Sequence, residues 1–221
     1  MARFSAAFAL ATLSWASADH HTVEYRVRVR NLTYRQPFSP PLIVAHTKDI
    51  ALFKEGESAS DAVKLMAEDG DNSLLIDVLS DPKYSKYICG YVVDDGALFP
   101  GKTYRDTMVV DTEICGDNPV FSMVGMLINS NDGFAGIDSE DLPYSGAVKS
   151  FPPCFDAGTE ENNELCSHMP GPACEPDSGN LEASPGEGFI HVQRGIHGIG
   201  DLAADVYDWR NPVAEVFLRR L

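Results

Sequence analysis

The chain has 221 residues, 44% of them hydrophobic, and sets 17 Lys and Arg against 33 Asp and Glu for a formal net charge of -16 at pH 7. That length can bury a substantial core as one domain without a metal to hold it together. The acidity argues against a nucleic-acid backbone or an anionic membrane as main partner and leaves divalent cations and basic partners open.

The first residues, MARFSAAFALATLSWASADHH, place Arg3 before an apolar segment and small residues at Ala16 and Ala18. This predicts a signal peptide over 1–18, a mature domain over 19–221, and a secreted, periplasmic or cell-surface protein. The apolar run is shorter than the roughly 17 to 25 residues of a membrane-spanning helix, and no later stretch reads as one. Cleavage before Asp19 would leave Asp19-His20-His21, a terminus able to bind Cu²⁺ or Ni²⁺, although a plain polar terminus is the simpler reading.

HTVEYRVRVRNLTY alternates, with Val23, Tyr25, Val27 and Val29 on one face and Glu24, Arg26, Arg28 and Arg30 on the other, as a half-buried strand does. Its basic stripe reads first as a solvated face. Asn31-Leu32-Thr33 is an N-glycosylation sequon. QPFSPPLIVAHT predicts a shaped loop entering a brief strand rather than a central ladder strand. ESASDAVKLMAED, Glu57 to Asp69, is the helix candidate, with Ser58 as N-cap and Gly70 as stop. SLLIDVLSD and KYICGYVVDDG read as short extended or apolar segments, and KTYRDTMVV as another strand approach.

PVFSMVGMLINS is apolar on both faces and predicts a central strand, with Gly125 marking a bulge or close approach. Its methionines read as core. From Ser150 to Gly188, breakers and charges replace periodicity, which predicts a long loop. VAEVFLRRL closes the chain as a strand. Short β-prone segments without regular helices between them favour a β-sandwich over a Rossmann sheet. The expected fold is therefore all-β, an antiparallel β-sandwich with one short helix and a long Cys, Pro and Gly-rich loop.

Secretion makes Cys89, Cys115, Cys154, Cys166 and Cys174 a disulfide inventory with one thiol to spare, either buried and free or linked to another molecule. Spacing leaves the pairing open.

INSNDGFAGIDSEDL carries the densest oxygen chemistry. Asn129, Asn131, Asp132 and Asp138 offer hard donors, and Gly133 and Gly136 permit tight turns. Ca²⁺ takes six to eight oxygens, so other loops must complete a shell; Asp94, Asp95, Asp111, Asp117, Asp201 and Asp205 are available. A self-capping Asn/Asp turn is the alternative. In HVQRGIHGIGDL, His191 and His197 could begin a Cu²⁺ or Zn²⁺ site completed by His46, His168, Asp201 or a cysteine. No HExxH, Walker loop, dinucleotide loop or GxSxG elbow is present, and the expected protein is not an enzyme.

YRVRVRNLTYRQPFSPPLIVAH, MLINSNDGFAGID, NNELCSHMPGPAC and GEGFIHVQRGIHGIGDL with YDWRNPVAEVFL together resemble the spondin amino-terminal domain family, in the form of its secreted bacterial single-domain members. The resemblance implies a C2-like sandwich with Ca²⁺ at loops on one end and, in animal relatives, a role in adhesion. It carries Asp132 and Asp138 over as calcium-associated residues; Asn129 and Asn131 are added on chemical grounds. NDGFAG stands where animal members have a turn with proline and tryptophan. The expected function is a secreted, noncatalytic calcium-binding module presenting a surface to an extracellular or cell-surface protein or glycan. A copper- or zinc-binding protein using His191 and His197 is the alternative.

Overall fold

The alternation near the start folds as predicted, with Tyr25, Val27 and Val29 buried and Glu24, Arg26, Arg28 and Arg30 exposed. The computed structural model describes residues 21–179, 181 and 183–221; the expected leader at 1–18, with Asp19 and His20, lies outside the described residues. In chain order the elements are β1 (Thr22–Asn31), β2 (Leu42–His46), α1 (Asp61–Asp69), α2 (Ser73–Ser80), β3 (Ile88–Val93), β4 (Thr103–Asp111), α3 (Thr112–Cys115), β5 (Val120–Met126), β6 (Gly133–Asp141), β7 (Ala147–Ser150), β8 (Cys154–Asp156), β9 (His191–Val192), α4 (Ala204–Tyr207) and β10 (Ala214–Arg220). They build an all-β sandwich of two antiparallel sheets, ordered β4-β1-β10-β7 and β3-β2-β5-β6-β8-β9.

Val27, Val29, Met108, Val216 and Leu218 of the four-stranded sheet pack with Ile43, Phe121, Met123, Ala135 and Ile137 of the six-stranded sheet. The outer face of the six-stranded sheet is also covered. Leu42, Val44, Val124, Met126 and Phe134 meet Val63, Met66, Leu75 and Leu79 of α1 and α2. Burial on both sides explains why the β5 run is apolar on both faces.

Several expectations need correcting. The SLLIDVLSD segment is helical, not extended: Leu75 and Leu79, four residues apart, turn one stripe into the core. The α1 N-cap is Ser60, which accepts the Val63 N–H, whereas Ser58 donates to the Gly188 carbonyl. Gly70 ends α1 at φ 69°, as predicted. The strand β2 is brief, yet it lies inside the ladder between β3 and β5. The β5 irregularity falls between Phe121 and Met123 rather than at Gly125. The close approach belongs to Gly136, where an added Cβ would lie 2.8 Å from both Phe155 and Phe53.

Disulfides join Cys89 to Cys115 and Cys166 to Cys174, and Cys154 is a buried free thiol. The sequon is closed off: Asn31 is buried and its Nδ2 donates to the Gln36 and Leu98 carbonyls. No helix among the described residues is long and apolar enough to cross a membrane.

Candidate metal centre

The turn from β5 into β6 delivers Asp132 to the interior. Its carboxylate is fully buried, and Oδ2 accepts the Thr159 and Glu160 N–H groups at 2.8 and 3.1 Å and the Thr159 hydroxyl at 3.2 Å. Oδ1 accepts nothing. A carboxylate oxygen sealed from water without a donor is costly unless a proton or cation meets it.

The other oxygens expected from this stretch do not join it. Asn129 accepts the Ala173 N–H and donates to the Arg35 carbonyl; Asn131 accepts the Glu164 N–H and donates to Asn163. Both amides tie down the long connection between β8 and β9. Asp138 sits six residues along β6, roughly 20 Å away at strand rise, exposed and accepting the Ser139 hydroxyl. Asp111 caps α3 and Asp201 accepts the Cys166 N–H.

Three other carboxylates interact electrostatically with Asp132, although among the described residues no three of the four bring ligand atoms within 4.8 Å of one another. Asp156 comes from the end of β8, Glu160 from the start of the long connection and Glu68 from the last turn of α1. Burial, then the Asp156 charge, pushes the Asp132 carboxyl up to about 7. Burial pushes Glu160 up to about 7 as well, with Glu68 and Asp132 adding repulsion. Glu68 and Asp156 are raised, chiefly by burial. Like Asp132 Oδ1, Glu160 Oε2 and Glu68 Oε1 are buried without a hydrogen-bond donor. Lys64, 3.8 Å from Glu68, balances part of this charge.

A second group adjoins through Asp156. His191 Nδ1 lies 3.7 Å from Asp156 Oδ1 and Nε2 lies 3.9 Å from Glu187 Oε1; one ligand atom from each of the three lies within 4.8 Å of the others. His197 lines the same cleft, of about 140 Å³, but is not part of that triplet. The other expected imidazoles are engaged elsewhere: His46 is buried against Thr47 and Ser122, and His168 Nδ1 meets the Asn163 amide.

Glu68, Asp156 and Glu160 escaped the sequence reading. FDAGTEE held the local signal for two of them, carboxylates bracketing a glycine turn directly after a short apolar strand. Nothing local marks Glu68, which reads as the polar end of an amphipathic helix.

The Spondin_N family model matches residues 8–168 of the chain. No curated protein matches it. The matched span takes in Glu68, Asp132, Asp156 and Glu160 and ends before Glu187 and His191.

Proposed function

The chain belongs to the Spondin_N family, and we propose that it works as an extracellular, noncatalytic binding module whose loop end is organised by Ca²⁺. The unpartnered Oδ1 of the fully buried Asp132 carries this reading. Asp132 and Asp156, whose charges act on each other, would supply the first hard oxygens, with carbonyls and water able to supply the rest and Glu160 and Glu68 adding negative charge beside them. The ion would offset the burial, and the lesser repulsion, that raise these carboxyls and fix the connection that wraps them. Two disulfides and the family fit an extracellular setting, and a protein or glycan is the expected partner.

Calorimetric Ca²⁺ titration and thermal melts of wild type, Asp132→Asn and Asp138→Asn test this. Wild type should gain about 2.7 kcal/mol at roughly 100 times the Kd. Asp132→Asn should lose both heat and stabilisation, while Asp138→Asn keeps them. An unaltered titration in Asp132→Asn would refute the assignment.

A second reading rests on the Asp156, Glu187 and His191 triplet, whose imidazole suits Zn²⁺ or Cu²⁺. Elemental analysis of native protein should then show metal that His191→Ala loses and His197→Ala retains; equal content in all three would remove the idea.

A further inference from the structure

The outer face of the four-stranded sheet is basic in a molecule of net charge -16. Arg26, Arg28 and Arg30 stand on it from β1, Arg105 from β4, Arg219 from β10 and Lys149 from β7, all exposed. Register places Arg28 directly opposite Arg105 and Arg26 directly opposite Arg219, while Arg30 faces Glu215. Like charges directly opposite one another destabilise a sheet. Lys149 is paired with Glu215 at 3.2 Å. Among the described residues, none of the five arginines has an ion-pair partner. Glu24 and Glu215 also stand on this face, but Arg26, Arg28, Arg105 and Arg219 are set against one another, a repulsion that a bound anion would relieve.

We infer that this face binds a linear acidic polysaccharide, sulfated or carboxylated. The inference rests on the reading of the protein as an extracellular interaction module, but not on its ion. The arginines of β1 recur about every 6.7 Å and adjacent strands lie about 4.8 Å apart, a spread grid that matches a polymer with repeated anions. Arg26, Arg28 and Arg105 line a shallow depression of about 350 Å³, which Asp106 borders. The guanidinium fork meets sulfate or carboxylate through paired hydrogen bonds. A nucleic acid would call for bases to stack, and the aromatic ring in the middle of the face, Phe217, already lies under Arg28 at 5.1 Å. A lipid surface would bring an extended anionic plane against the acidic remainder of the molecule, whereas a single polymer strand need touch only this face.

Binding of the full chain to heparin, polygalacturonate, single-stranded DNA and phosphatidylserine vesicles, each across a salt series with Ca²⁺ and with chelator, tests the inference. Heparin or polygalacturonate should bind wild type; the stronger of the two identifies the anion as sulfate or carboxylate. Arg26→Ser/Arg28→Ser and Arg28→Ser/Arg105→Ser should each weaken binding roughly tenfold or more, with Lys83→Ser unchanged and circular dichroism confirming the fold. Retention of affinity in both double variants, or no binding by wild type at low salt, overturns it. So does tighter binding of DNA or vesicles with the same variant losses. Asp132→Asn should bind polysaccharide like wild type, and the arginine variants should titrate Ca²⁺ like wild type, so failure of either reading shows separately.

Discussion

His46 closes a buried relay of hydrogen bonds that dictates its protonation state. Its Nδ1 lies 2.7 Å from the Thr47 carbonyl and must donate, so Nε2 accepts from the Ser122 hydroxyl at 2.8 Å, which in turn accepts the Ser139 N–H. Burial holds its pKa below 6.5, with the Thr47 carbonyl and the Asp138 charge offsetting only part of the effect. As pH falls, the unfolded chain therefore takes up this proton first. Stability from this site is complete above 6.5 and is lost as pH falls below it, by at most about 1.4 kcal/mol per pH unit. Urea melts from pH 8 to pH 5 should show that slope as a difference between wild type and His46→Gln; parallel profiles would count against it. The relay also clarifies Asp138, which helps set the charge around a core histidine at the far end of β6 from Asp132. Sequence proximity suggested one site for both residues, but a strand separates what a loop would have gathered.

Elements were legible where a single periodicity dominated. The alternation in β1, the apolar run of β5 and the glycine stop of α1 all carry their own physical signal. The α2 segment was missed because eight residues with apolar groups on several sides fit a short strand as well as a helix, and only packing on α1 and the sheet decides between them. Disulfide pairing was equally hidden. Cys89 on β3 and Cys115 in α3 meet because β4 folds back between them, closing a separation of 26 residues. Loop-closure entropy gives that bridge about 3 kcal/mol. Replacing both cysteines with serine should lower unfolding free energy by about that amount, as read by urea melts, with Ca²⁺ titration retained; a loss below about 1 kcal/mol would mean that packing holds the two elements without it.

At the scale of the molecule, charge is segregated. Buried and crowded carboxylates gather around α1, β6 and β8, while arginines occupy the outer face of the opposite sheet. Neither cluster was readable as such in the chain: the arginine stripe was visible along β1, but its neighbours from β4 and β10 come from distant segments. Net acidity of this size loads the folded state with self-repulsion. Raising monovalent salt from about 0.01 M to about 0.15 M shortens the screening length from roughly 30 to 8 Å, so Ca²⁺-free protein should melt at a higher temperature in the second buffer. A flat or falling Tm would show that favourable ion pairs outweigh the repulsion.

The connection from β8 to β9 has an organisation of its own. Asp132 takes the amides of Thr159 and Glu160, Asp156 that of Gly158, Glu160 that of Ala183, and Glu164 those of His197, Gly198 and Ile199. Backbone donors that usually cradle a foreign anion here cradle the chain's own acids. Carboxylates thus serve as templates for an irregular fold where repeating ladders are missing. The shape of this segment therefore belongs as much to the ionisation state of those acids as to the order of its residues.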